Sequence, residues 1–228
     1  MKSNLAQLEQ KLGYKFKNPK LLTQALCHKS YINESDGSIK SYERLEFLGD
    51  SVLGVVVSRY IYDNYASFPE GELTKLRAAV VCERSLSQLA RNLNMGEYIY
   101  LSKGEMQSGG ADKDAILCDV FEAVIAAIYL DSNMEKARTF ILNNLADIIQ
   151  KQAQLGSDLN DYKTTLQEIV QQDGGTVEYK IVSESGPDHA KQYEAAVYVN
   201  GSRVALGSGG SKKKAQQDAA KNAIKLIK

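Results

Sequence analysis

Apolar residues between positions 41 and 57, at Leu45, Leu48, Val52 and Val55/Val56, recur at three- and four-residue spacing, which predicts a helix. Glu43, Glu46 and Asp50 interrupt it. At about 100° per residue, Glu43 and Asp50 fall about 20° apart around the axis and Glu46 about 60° from Glu43. The carboxylates therefore share one side of an otherwise strongly apolar helix. An ordinary surface helix spreads its acids over a solvated face and pairs them with Lys or Arg four residues on. Here Arg44 alone is near, and it points elsewhere. A second segment, residues 115–130, is nearly all apolar yet carries Asp119 and Glu122 at i, i+3 spacing.

The rest of the N-terminal pattern is also helical. Residues 5–12 form a short helix stopped at Gly13, and Pro19 opens another that carries Leu21, Leu22, Ala25 and Leu26. His28 follows it and reads as a hydrogen-bonded structural residue. A polar loop, 33–40, leads into the first acid-bearing helix, which runs on through Tyr60 and Tyr65. A turn at 68–72 precedes helices over 73–81 and 85–93, with Glu70 and Glu72 at a helix start favoured by the dipole. Residues 103–113 read as a Gly-rich charged loop. It is no phosphate-cradling loop, because Gly109-Gly110 is followed by neither Lys-Ser nor Lys-Thr. A helix over 135–152 carries a stripe at Ala137, Phe140, Ile141 and Leu145. No strand pattern occurs in residues 1–152, so this part is predicted to be an all-α domain.

The periodicity breaks after residue 152, and a linker is placed at 153–159. Residues 160–228 then read α-β-β-β-α. A helix over 161–170 is N-capped by Asp161. Alternating segments follow at 176–183, 192–200 and 203–208, with a tight turn at Asn200-Gly201. Ser211 caps a last helix over 212–227. The fold class is α+β: an all-α domain followed by a small mixed one.

A length of 228 residues suits one large or two modest domains. The formal net charge of zero argues against a nucleic-acid binder. The average conceals an asymmetry, since between Ser211 and Lys228 the residues Lys212, Lys213, Lys214, Lys221, Lys225 and Lys228 face one acid, Asp218. Cys27, Cys82 and Cys118 are odd in number and match no pairing motif, and they read as small buried hydrophobes in a reducing compartment. The start of the chain lacks an apolar signal region, and no run reaches about 18 uncharged apolar residues. The expectation is a cytoplasmic protein with no membrane partner.

Partly buried carboxylates are costly unless neutralised, paired or bound to metal. Two such helices side by side would bring Glu46, Asp50, Asp119 and Glu122 together. Four oxygen donors without His or Cys suit a hard cation, Mg²⁺ or Mn²⁺ rather than Zn²⁺. The plainer reading is that each acid caps a helix, accepts a hydrogen bond or bridges to a base. Spacing alone leaves both open.

The segment Glu43-Arg-Leu-Glu-Phe-Leu-Gly-Asp-Ser51 resembles the signature motif of the ribonuclease III family, and Asp119-Val-Phe-Glu122 resembles that family's other acidic segment. His28-Lys-Ser-Tyr31, Pro69-Glu-Gly-Glu-Leu73, Lys103-Gly-Glu105 and Ser108-Gly-Gly110 are similar to further family blocks. The resemblance runs from about residue 5 to the C-terminus in the bacterial arrangement. Gly186-Pro-Asp-His189, Gly207-Ser-Gly-Gly-Ser-Lys-Lys-Lys-Ala215 and Asp218-Ala-Ala220 resemble a double-stranded-RNA-binding domain.

The resemblance implies hydrolysis of duplex RNA, aided by divalent metal and leaving 5′-phosphate and 3′-hydroxyl ends, with roles in processing ribosomal and other precursors. Glu46, Asp50, Asp119 and Glu122 become catalytic metal ligands for Mg²⁺, with Mn²⁺ as a substitute. A second ion would arrive with substrate. Glu43 would position substrate or touch a partner subunit, and Glu70 would be a supporting residue. The family is a homodimer paired through its signature helices, and Phe47 is the candidate cross-dimer contact, its alternative being core packing. Thr164, Gln167 and Glu168 would face one minor groove and His189 another, with Ser211, Lys212 and Lys213 at the phosphates. Gln216 departs from eukaryotic versions of the domain, which often place Lys there. Cys27, Cys118 and Ala126 stand where the family usually has Thr, Ala and Gly. The competing readings are a non-catalytic RNA-binding protein, which loss of any of the four acids would favour, and a helical scaffold, which leaves the RNA-binding half unexplained.

Overall fold

The computed structural model describes residues 5–34, 40–157, 162–187 and 191–227. Two compact units emerge, Met1–Ala153 and Gln154–Lys228.

The first unit is built around a helix that is apolar almost all round, interrupted by Asp119 and Glu122. This is α8, Asp114–Asp131, in which Ile116, Leu117, Val120, Phe121 and the run from Ala123 to Ile128 are buried. A helix apolar all round is stable only at the centre of a bundle. Earlier elements supply the wrapping: α1 (Leu5–Leu12), α2 (Pro19–Ala25), α3 (Lys29–Glu34), α4 (Glu43–Asn64), α5 (Glu70–Val80) and α6 (Glu83–Asn92). α4, α6 and α2 pack directly on α8. Each large aliphatic or aromatic side chain so buried contributes about 1.5–3 kcal/mol. Asp131, at the end of α8, accepts from Tyr14 Oη and from the Lys17 and Asn18 N–H groups, all at 2.8 Å, and so ties down the α1–α2 connection.

Several expectations need correction. Residues 103–113 are not an open loop, since α7 (Lys103–Gln107) and a 3₁₀ turn at Gly110–Asp112 lie within them. Ser102 Oγ caps α7 by accepting from Glu105 N at 3.1 Å, and Lys113 Nζ reaches Glu105 at 2.7 Å. These local polar contacts leave no apolar period to read. The next helix, α9, spans Met134–Ser157 rather than stopping at Gln152. Buried Ile149 and Ala153 extend the stripe of Ala137, Ile141 and Leu145 at four-residue spacing, which carries the helix onward. Cys82 is exposed, unlike buried Cys27 and Cys118, because it sits in the extended step between α5 and α6. Val55 also leaves the core, at 61% exposed.

The second unit follows the expected order. α10 (Tyr162–Gln172) is followed by β1 (Val177–Ser185), β2 (Gln192–Val199), β3 (Ser202–Gly209) and α11 (Lys212–Ile227). The strands form an antiparallel sheet in the order β1-β2-β3. Tyr179 pairs with Val197 and Ile181 with Ala195, so one face alternates inward against Leu166, Val170 and the alanines of α11. Asn200 and Gly201 both have positive φ, 51° and 78°, as a two-residue hairpin turn requires. The proposed cap Asp161 lies outside the described residues.

The crossing of α4 and α8 depends on Gly49, which is buried, and a methyl group there would overlap the Glu122 backbone carbonyl. Gly49→Ala should therefore destabilise the unit by roughly 1–3 kcal/mol, despite the better helix propensity of Ala. Urea unfolding checks this, with a lower midpoint at unchanged slope expected.

Candidate active site

α4 and α8 meet backbone to backbone at Gly49 and Glu122, and that contact sets the geometry of the acids. Glu46 and Asp50 lie one turn apart on α4, beside Asp119 and Glu122 on α8. The four act on one another electrostatically. Glu122 is pushed up to about 8, first by burial and then by the charges of Asp50, Glu46 and Asp119. Burial followed by Asp119 and Glu43 raises Glu46 as well. Asp119 is raised by burial, against a hydrogen bond from Tyr42 that favours its charged form.

No Lys or Arg forms an ion pair with any of these four among the described residues. An acid cluster with no ion-paired base is a poor structural device and a good cation receptor. Among the described residues, no three His, Cys, Asp or Glu side chains stand as a ready-formed metal cage. The fit to a hard cation therefore rests on the donor chemistry: carboxylates only, from two helices, whose charge Lys29 offsets in part at Glu46 and Asp119 without pairing with either.

Glu43 behaves differently. It is exposed and receives Ser41 Oγ at 3.0 Å and Lys29 Nζ at 3.4 Å, and these hydrogen bonds lower its pKa. Arg44 is thus not the only base nearby, since Lys29 arrives from α3. Glu70 opens α5 and accepts from Thr74 Oγ1 at 2.9 Å, on a cleft shared with Arg59, Tyr62, Leu73 and Arg77. Phe47 is 78% exposed, which removes the core-packing alternative within this chain.

His28 is a buried structural residue, as expected. Its Nδ1 accepts from Ser30 N at 3.2 Å, which leaves Nε2 to carry the proton of the neutral ring, and burial lowers its pKa. Tyr42 went unread in the sequence. It is buried and its hydroxyl donates to Asp119 Oδ2 at 3.1 Å. Its place four residues before Glu46 was a usable signal, but tyrosine at the edge of an apolar stripe reads as core.

In the second unit, α10 exposes Thr164, Gln167 and Glu168 along one side. Lys212 and Lys213 are exposed in the first turn of α11, and Ser211 Oγ caps that helix by accepting from Lys214 N at 3.2 Å. Lys212 Nζ lies 5.9 Å from the Tyr193 ring centre. His189 lies outside the described residues. Lys163 was missed: its ammonium donates to Gln216 Oε1 at 2.9 Å and sits 4.6 Å from the Tyr179 ring centre. A cation from α10 thus stands beside Gln216, the position at which eukaryotic versions of the domain often carry Lys.

Comparison with known proteins agrees with both units. A family model described as Ribonuclease-III-like matches residues 18–149, and one described as a double-stranded RNA binding motif matches residues 162–227. The chain is 44% identical over 229 residues to Ribonuclease 3 of Geobacillus kaustophilus, covering 100% of this chain and 92% of that protein. It is 46% identical over 222 residues to Ribonuclease 3 of Clostridium tetani, covering 97% and 94%. The crystal structure of the nuclease domain of ribonuclease III from Campylobacter jejuni is similar at TM-score 0.59 and 43% identity, covering 64% of this chain and 95% of that one. A second structure of that domain, with TM-score 0.58 and 44% identity over 63% of this chain and 99% of that one, is described as showing structural flexibility in a region involved in dimer formation.

The elevated Glu122 pKa predicts a pH dependence of stability. The carboxyl ionises near 4.5 in the unfolded chain and near 8 in the fold, so the unfolded state loses its proton first as pH rises. Metal-free stability from this group is present at low pH and lost on the way to about 8. Thermal unfolding in chelator should show a smaller fall in Tm between pH 5 and pH 8 for Glu122→Gln than for the wild type.

Proposed function

The chain belongs to the ribonuclease III family, and from that premise we propose how its two units share the cleavage of duplex RNA. It is an endoribonuclease specific for double-stranded RNA. A purely RNA-binding role is set aside, because the family is catalytic and all four acids are present.

The observation that carries the proposed mechanism is the α4–α8 carboxylate cluster with no ion-paired base among the described residues. Glu46, Asp50, Asp119 and Glu122 would hold a divalent hard cation, Mg²⁺ or in its place Mn²⁺. When bound, the cation supplies Lewis-acid polarisation of the scissile phosphate and lowers the pKa of an attacking water. The acids concentrate negative charge where the cation would bind, and none of them is tied up in an ion pair with Lys or Arg among the described residues. Glu43, exposed at the start of α4, positions substrate or meets the partner subunit, and Glu70 plays a supporting part. Attack by water rather than by a ribose hydroxyl leaves 5′-phosphate and 3′-hydroxyl ends. Structured precursors, ribosomal RNA among them, are the proposed substrates.

For the second unit, Thr164, Gln167, Glu168 and His189 would read minor grooves by shape, while Lys212 and Lys213 hold phosphates at a capped helix N-terminus. Reading of this kind is insensitive to sequence. No helix among the described residues is long and apolar enough to cross a membrane. The proposed compartment is the cytoplasm, supported by the free thiols of Cys27, Cys82 and Cys118.

The proposed homodimer is supported by one face of α4. Phe47, Val55 and Tyr62 are 78%, 61% and 70% exposed, and at helical spacing they form one stripe. An exposed apolar stripe of this kind marks an association surface. Pairing two copies through it about a two-fold axis gives two equal acid sites, one for each RNA strand.

Glu122→Gln should abolish cleavage of a long duplex in Mg²⁺ while leaving filter-binding affinity within about twofold. Lys212→Ala with Lys213→Ala should weaken binding and flatten its salt dependence by about one unit of log–log slope for each phosphate no longer neutralised. Cleavage by that variant should persist at high enzyme and low salt, and parallel loss of binding in both variants would refute the division of labour. Phe47→Ala should weaken dimerisation by about 2 kcal/mol or more, as removal of a central aromatic anchor does. Light scattering across a micromolar dilution series would report this, and an unchanged dimer mass would refute the assigned contact.

A further inference from the structure

Tyr42 occupies the residue just before α4 and is 2% exposed. Its backbone is pinned on both sides. The N–H donates to the Cys27 carbonyl at 2.9 Å, and its own carbonyl accepts from Leu45 N at 2.7 Å and Glu46 N at 2.9 Å. The ring packs against His28, with centres 5.7 Å apart. One polar atom remains, and it is aimed across the helix crossing: the hydroxyl donates to Asp119 Oδ2 at 3.1 Å. Donation in that sense is required, because an ionised carboxylate only accepts.

We propose that Tyr42 is a positioning residue for the acid cluster, holding the Asp119 carboxylate in one orientation through its hydroxyl. The inference rests on the reading of Asp119 as a cation ligand. With Oδ2 occupied by the phenol, rotation of the carboxyl is restrained and Oδ1 is left for the ion. Without that bond, a partly buried carboxylate on α8 has free rotation about its terminal torsion, which is broad and two-fold by nature. The same residue accepts the Glu46 N–H, so it fixes the turn of α4 that carries one acid and the side chain of another acid on α8. Partners that orient ligands in this way change metal affinity or activity by about 10–100-fold when removed.

The test is Tyr42→Phe in the full-length protein, which keeps the buried ring and deletes only the hydroxyl. Mn²⁺ binding to the RNA-free protein, followed calorimetrically, should weaken about tenfold. Cleavage at limiting Mg²⁺ should fall by a similar factor and recover as Mg²⁺ is raised. KM for duplex RNA and the melting temperature in chelator should stay near wild type. Mn²⁺ affinity within twofold of wild type overturns the proposal. So does a loss of melting temperature and duplex KM together with metal affinity, since that is the signature of a merely structural hydroxyl. Asp119→Asn, measured alongside, separates the two levels. If it loses Mn²⁺ binding while Tyr42→Phe does not, Tyr42 is misassigned and the metal reading stands. If Asp119→Asn binds Mn²⁺ like the wild type, Asp119 is no ligand and both fall.

Discussion

Negative charge gathered where two apolar helices touch is the constraint on which this nuclease unit depends. α4 approaches α8 so closely at Gly49 that only a hydrogen atom fits against the Glu122 carbonyl. That approach carries Glu46 and Asp50 to Asp119 and Glu122 and takes part of the hydration of Glu46, Asp119 and Glu122 away, while Asp50 stays exposed. Burial and mutual repulsion then push Glu122 far above the ordinary carboxylate range. A fold that maintains such a cluster without an ion-paired base holds electrostatic strain in its ground state, and a hard cation would relieve it.

The surroundings show how that strain is contained. α8 is buried over most of its surface, so its half-buried acids sit on a rod that cannot easily shift. The rod is braced at both ends. Arg91 binds Asp112 at 2.7 Å and Asp114 at 2.6 Å where the helix begins, and Asp131 clasps the α1–α2 connection where it stops. Tyr42 braces the middle at Asp119. These contacts join protein groups to one another, and they settle donor positions in advance, as the proposed metal-assisted hydrolysis would need.

The RNA-binding unit solves a different problem with little apolar material. Its core is a small cluster of Leu166, Val170, Ala195, Val197 and the alanines of α11. Small side chains let sheet and helices pack closely, while the outward faces of α10 and the start of α11 remain polar and basic. A protein of zero net charge can therefore still bind a polyanion, because the charge is placed rather than averaged.

Periodicity determined most of the architecture by itself. Three- and four-residue spacing marked the helices of the first unit, and two-residue alternation with Asn200-Gly201 marked the sheet, because burial imposes those periods on any chain that folds this way. The four acids were legible for the same reason: carboxylates in an apolar stripe break the pattern that burial demands. What the linear pattern lacked was whatever depends on contact between distant segments. Val55 looks like a core residue until α4 is seen to turn it outward, and the helix over 103–107 rests on a serine cap and a lysine bridge instead of an apolar face. Gly49 is only another small residue until α8 arrives against it. Tyr42 and Asp119 are 77 positions apart, and no local rule relates them. Only tertiary packing decided those relationships, because a hydrogen bond between two helices is specified by where their axes cross.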